Sequence, residues 1–344
     1  MLHYKSRLLV TALTAIVALN LSWEHQTLLI AQIASLTDYY HFEAREPFVY
    51  RILPALIYNS LAAGHRDVLT GLNAPFDSSV NIFQLCMDAV SLGLALVFLN
   101  RIVRRLNPEL HPALTLAFAA AAELVIVVFG FYMVPNRAFF YPYDFPDLCL
   151  ATFIFYLCIR LEGRYEYLLP AAIFIATLNK ETAIYYCGLY LAFRMSRRQD
   201  WGRMARVLAL CCVAFVAARA GVIWLVRQLH NGVPIVNEQY EYHLMYTLQQ
   251  MSNPLFIFAM LNICSYLYVA IFLLRRRLDR TDGLILLMIA GWIAIMAVVG
   301  IVRELRIFVP ASLLMFVIVA RHLQALVTTW APAIGARGAR APMI

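Results

Sequence analysis

Long apolar runs alternate with arginine-rich boundaries along this chain, and that alternation leaves few folds open. The runs stand near 7–23, 80–100, 113–134, 147–161, 207–229, 254–274, 283–302 and 307–327. Each approaches the roughly 20 residues that a helix needs to cross a bilayer core. If all of them span, Lys5/Arg7, Arg101/Arg104/Arg105, Arg160/Arg164, the Arg194–Arg206 cluster, Arg275–Arg280 and Arg337/Arg340 share one side. An excess of Lys and Arg in short loops marks the cytoplasmic side. The opposite loops then hold Asp38, Glu43, Glu46, Asp144, Asp147, Glu238, Glu241 and Glu304. The fold class this implies is all-α, a polytopic transmembrane helix bundle with about eight full spans. Carboxylates gathered on its outer face are the first place to look for chemistry.

The chain is 62% hydrophobic and 14% charged, far from an ordinary soluble domain. Its net charge of +8 comes from arginines at the ends of the apolar runs. Membrane headgroups and topology account for that sign, and no nucleic-acid partner is implied. Leu21-Ser22-Trp23-Glu24 is a poor match to a signal-peptidase site, so 7–23 reads as a retained first helix. The seven cysteines lie in or beside apolar runs without metal-ligand spacing, and no disulfide framework is expected.

Residues 1–330 read as a single membrane domain and 331–344 as a basic cytoplasmic tail. Within the domain, 24–79 forms the first periplasmic loop. An interfacial helix is expected there over 47–63, opening with Pro47 and carrying Arg51 and Pro54. The stretch 167–193 has arginine clusters on both flanks. One crossing would put a basic cluster outside, and two crossings do not fit its length at about 1.5 Å per helical residue. A half-depth helical hairpin entering from the cytoplasm satisfies both constraints, with Asn179-Lys180-Glu181-Thr182 at its tip. Counting that hairpin, the bundle has about 8–10 membrane segments.

Four places carry groups able to do chemistry. The loop 37–51 sets Asp38, Glu43, Glu46, His41, Arg45 and Arg51 among five aromatic rings. Its acids could deprotonate a hydroxyl, its arginines neutralise a phosphate and its rings stack on a sugar. A solvated loop with an aromatic belt is the plainer reading. Between the third and fourth runs, Asp144 and Asp147 stand three apart between prolines and could offer oxygens to a divalent metal (Mg or Mn). Alternatively, Asp147 simply caps the next helix. Lys180 and Glu181 adjoin in sequence, so on a helix they would serve separate partners. Glu181 suits a buried arginine and Lys180 an anionic substrate, unless the two belong to a structural charge cluster. Arg303 and Arg306 flank Glu304 on the outer side against the topological bias. Either a lipid phosphate or the outer carboxylates could hold them there. Asp88, Glu123 and Arg219 fall inside apolar runs. Walker, dinucleotide, nucleophile-elbow and zincin motifs are absent, which argues against ATP-driven transport, nucleotide-cofactor redox chemistry and zincin proteolysis.

With its many spans and its acidic first and second outer loops, the chain resembles the GT-C class of integral-membrane glycosyltransferases. The stretches Pro47-Phe48-Val49-Tyr50-Arg51-Ile52-Leu53-Pro54, Asn179-Lys180-Glu181-Thr182 and Glu304-Leu305-Arg306-Ile307 are similar to those of an uncharacterised bacterial branch. The resemblance implies transfer of a sugar from a polyprenyl-phosphate carrier to a glycan or lipid acceptor at the periplasmic face of the inner membrane. Both termini would be cytoplasmic. It implies Asp38 as catalytic base, with Glu43 and Glu46 as rivals, and Asp144 and Asp147 as metal ligands. Arg51, Arg303 and Arg306 would hold the carrier phosphate, with Lys180 and Glu181 near the substrate. The rival reading is a secondary transporter or lipid-carrier flippase using Asp88, Glu123, Lys180, Glu181 and Arg219.

Overall fold

The computed structural model describes residues 16–22, 39–40, 42, 51–70, 79–132, 141–160, 165–196, 201–229, 262–299 and 305–328. Among the described residues every regular element is helical. They are α1 (Leu53–Thr70), α2 (Ser79–Leu106), α3 (Pro112–Val127), α4 (Asp144–Arg160), α5 (Tyr165–Asn179), α6 (Cys187–Ser196), α7 (Trp201–Leu229), α8 (Leu267–Leu274), α9 (Arg280–Val299) and α10 (Val309–Arg321). A π-helical turn, Val128–Tyr132, follows α3. Short 3-10 turns stand at Glu181–Tyr186, Ile263–Tyr266 and Leu305–Phe308.

Four helical stretches are long and apolar enough to cross a membrane: Ile82–Leu106, Pro112–Tyr132, Trp201–Leu229 and Arg280–Val298. Between 22% and 44% of their apolar windows is buried in the protein, so the larger part faces outward. Val213, Val216, Trp224 and Leu287 all stand exposed on these helices. So broad an apolar surface would drive a soluble protein to aggregate, whereas hydrocarbon demands it. The sequence suggested about eight spans. The runs at 147–161, 254–274 and 307–327 coincide, within the described residues, with the shorter helices α4, α8 and α10.

α10 lies at the centre. Every residue from Val309 to Ala320 is buried, as expected of a helix that is apolar all round. It packs against α2, α8 and α9. Gly130, in the π-helical turn, meets it so closely that an added Cβ would stand 2.7 Å from Val309 Cγ2. The most extensive helix contacts pair α2 with α4 and α5 with α7. Cys264, Ser265 and Tyr266 adopt φ of 55°, 54° and 58° in succession, each costing about 1–2 kcal/mol. This left-handed turn packs against both the π-helical turn and Leu305–Phe308.

Two boundaries differ from the sequence expectation. The first-loop helix begins at Leu53 rather than Pro47, with Pro54 in the first turn, where a missing N–H is harmless. α4 begins at Asp144 rather than Asp147: the Asp144 carboxylate turns back to accept the Tyr141 amide at 3.1 Å, and Pro146 sits where no amide is needed.

Candidate functional site

The turn Tyr141–Tyr143 leads into α4 and gathers charge from three distant parts of the chain. Tyr141 and Tyr143 stack with ring centroids 5.4 Å apart and planes 10° from parallel. Each ring carries a guanidinium: Arg306 lies 3.8 Å from the Tyr141 centroid and Arg51 4.4 Å from that of Tyr143. Arg51 also donates from Nη1 to the Tyr143 hydroxyl. Burial pushes that hydroxyl above the ordinary phenol range, against the pull of both arginines.

Each of these cations answers a carboxylate. Arg51 grips Glu181 with Nη2 at 2.9 Å from Oε1 and Nε at 3.3 Å from Oε2. Arg306 Nη1 donates to Asp144 Oδ1 at 3.2 Å. One turn into α4, Asp147 accepts Lys180 Nζ at 2.9 Å and the Tyr186 hydroxyl at 3.1 Å. Asp144, Asp147 and Arg306 are all buried. The two-point guanidinium–carboxylate pair is the strongest of these geometries.

The sequence places Lys180 and Glu181 at a helix break, and α5 does end there. Asn179 closes α5 and donates from Nδ2 to the Tyr143 carbonyl at 3.1 Å. Lys180 is extended, with φ −158° and ψ 131°. This lets the two adjacent side chains reach different partners, as the sequence required. Two polar atoms at this break are buried without a partner among the described residues: Asn179 Oδ1 and Thr182 Oγ1. Native proteins leave few such atoms, and each calls for an explanation.

An aromatic wall adjoins the charges. The Tyr39 hydroxyl donates to the Arg51 carbonyl and its ring lies 6.3 Å from that of Tyr143. Tyr40 donates to Gln84 Oε1, while Gln84 Nε2 donates to Asp88 Oδ1 at 2.7 Å and the Pro142 carbonyl at 3.0 Å. Tyr58 and Phe83 pack on Tyr40.

Of the residues the sequence singled out, Arg51, Asp144, Asp147, Lys180, Glu181 and Arg306 therefore converge. Asp38, Glu43, Glu46 and Arg303 lie outside the described residues. Tyr141, Tyr143, Tyr186, Asn179 and Gln84 were not among the candidates. A polar residue beside Lys180-Glu181 and an i, i+4 Gln84/Asp88 pair inside an apolar run were the available signals. Among the described residues no three His, Cys, Asp or Glu side chains form a metal-ligand group. The four oxygens of Asp144 and Asp147 take Tyr141 N, Arg306, Lys180 and Tyr186. Two of those four donors, Arg306 and Lys180, are cations that already neutralise the carboxylate pair. No protein-family model, curated protein or solved structure matches this chain.

Proposed function

We propose that the protein is an integral-membrane glycosyltransferase that moves a sugar from a polyprenyl-phosphate carrier to a glycan or lipid acceptor. The observation that carries this reading is the stacked Tyr141/Tyr143 pair, flanked by Arg51 and Arg306, with Asn179 Oδ1 and Thr182 Oγ1 buried nearby without partners among the described residues. Guanidiniums suit a phosphate, while an amide oxygen and a hydroxyl suit sugar hydroxyls.

In the proposed reaction Asp38, Glu43 or Glu46 takes the proton of the acceptor hydroxyl. The acceptor oxygen bonds to the anomeric carbon as that carbon's bond to the phosphate oxygen breaks. The electron pair leaves on the polyprenyl phosphate, whose charge Arg51, Arg303 or Arg306 stabilises. Glu181 and Asp144 hold Arg51 and Arg306 in place until a phosphate competes for them. The charge on the leaving phosphate is met by the chain's own cations, and a divalent metal on Asp144 and Asp147 would add to them.

The architecture that goes with this function has about eight spans, a re-entrant hairpin over 167–193 and cytoplasmic termini in a bacterial inner membrane. Three observations support the re-entrant segment. Glu166 just before it pairs with Arg194 just after it, Lys180 and Glu181 stand at the break between, and α5 is about 22 Å long.

Retention of undecaprenyl phosphate by the purified chain, read by native mass spectrometry, tests the proposal. Wild type should retain it above bulk phospholipid, and Arg51→Ala and Arg306→Ala should each weaken it. Full transfer activity in folded Asp38→Asn, Glu43→Gln and Glu46→Gln variants would sink the proposed base.

Glu123 favours a second reading. It is buried in α3, and its Oε1 has no partner among the described residues. A transporter or flippase would use such a group inside the membrane. Glu123→Gln would then abolish uptake, while outer-loop changes would leave it intact.

A further inference from the structure

Arg219 falls within α7, one of the four stretches long and apolar enough to cross a membrane, where a charge calls for a functional or pairing partner. At i, i+3 and i+7 it shares a helix face with Val222 and Val226. Both valines are buried in one cluster with Ile52, and Leu56 and Leu178 pack against that cluster. Ile52 follows Arg51 directly, and Leu178 stands in the last turn of α5, three residues before Glu181. α7 also packs against the Glu181–Tyr186 turn. The face that carries Arg219 is therefore the face turned toward the Arg51–Glu181 pair, and Arg219 acts electrostatically on the Glu181 carboxylate alongside Arg51. We propose that Arg219 shares Glu181 with Arg51 as a positioning residue, keeping the carboxylate paired when Arg51 turns to a phosphate.

The other two carboxylates of the site are arranged in the same way. Asp144 accepts the Tyr141 amide as well as Arg306, and Asp147 accepts the Tyr186 hydroxyl as well as Lys180. Each can give up its cation and still keep a donor. Glu181 offers both of its oxygens to Arg51, and its second cation comes from α7.

The pairing matters because both Arg51 and Glu181 are largely shielded from solvent. A shielded carboxylate whose cation is taken away is strongly destabilised. A second guanidinium lowers that penalty, since an ionic partner remains throughout the exchange. Arg219 does this through Glu181 and needs no contact with the phosphate. The sharing of Glu181 stands on packing and charge alone, whereas its consequence for a phosphate rests on the transfer reading.

The test uses the full chain in mild detergent as wild type, Arg219→Gln, Glu181→Gln and the double variant, with Arg219→Lys as the conservative control. In thermal melts the double variant should lose clearly less than the sum of the two single losses. Additive losses would overturn the sharing. In native mass spectrometry with undecaprenyl phosphate, Arg219→Gln should lower retention by about tenfold, and Arg219→Lys should keep most of it. The double variant should match Glu181→Gln alone, because a neutral amide needs no second cation. An equal loss from Arg219→Gln in both backgrounds would put Arg219 on the phosphate itself and overturn its action through Glu181. Absence of retention even in wild type would sink the transfer reading, while the melts would still decide for or against the sharing.

Discussion

Arg51 and Glu181 form a two-point ion pair, 2.9 Å and 3.3 Å long, that joins the entry to α1 to the break after α5. Both side chains are largely shielded from solvent. Removing one partner of such a pair strands the other, at roughly 3 kcal/mol. Arg51→Met should therefore lower the melting temperature in detergent, and Glu181→Met should lower it by a similar amount. The double variant should lose clearly less than the sum of the two. Additive losses in thermal melts would show that the two residues act independently.

Gly130 sets a steric limit rather than an electrostatic one. A methyl group there would meet Val309 Cγ2 at 2.7 Å, against the most deeply buried helix. Gly130→Ala should destabilise by about 1–3 kcal/mol, and adding Val309→Ala should recover much of that. An unchanged melt for Gly130→Ala would mean that the π-helical turn yields without cost.

The Asp279–Arg321 contact predicts a pH dependence. Partial burial raises the Asp279 carboxyl, but Arg321 at 2.6 Å and the amides of Thr281 and Asp282 outweigh it, leaving the group well below the ordinary carboxylate range. A carboxyl lowered in the folded state adds stability that is complete above its unfolded value, about 4, and is lost on further acidification. Melting temperature should therefore fall as pH drops below about 4, and Asp279→Asn should flatten part of that fall. Identical acid limbs for variant and wild type would rule the contact out as a source.

Chelation addresses the metal that resemblance placed on Asp144 and Asp147. Their four oxygens already accept protein donors, so EDTA should leave undecaprenyl-phosphate retention unchanged. Loss on chelation, restored by Mg²⁺, would show that an ion joins this site.

Much of this arrangement was legible before any coordinates. Membrane burial penalises unpaired charge, so Lys180 and Glu181 stood out; Arg306 did so by lying outside against the topological bias, and Arg51 as a cation of the first outer loop. Separate partners for Lys180 and Glu181 followed from helical geometry alone. The Tyr141/Tyr143 stack was hidden, because 19 tyrosines in an apolar chain give no signal of which two will align. The start of α4 was misjudged because a side chain folding back onto its own turn decided it. Span lengths were blurred by the merging of apolar turns, π-helical and left-handed, into the runs that frame α3 and α8.

The Glu166–Arg194 pair turns residues 165–196 into something like a lariat, knotted at its base while its loop reaches the Tyr143 carbonyl through Asn179. Arg203, at the start of α7, joins the same carboxylate. The contact of Lys180 with Asp147 and the pair that closes the base thus lie at opposite ends of one segment.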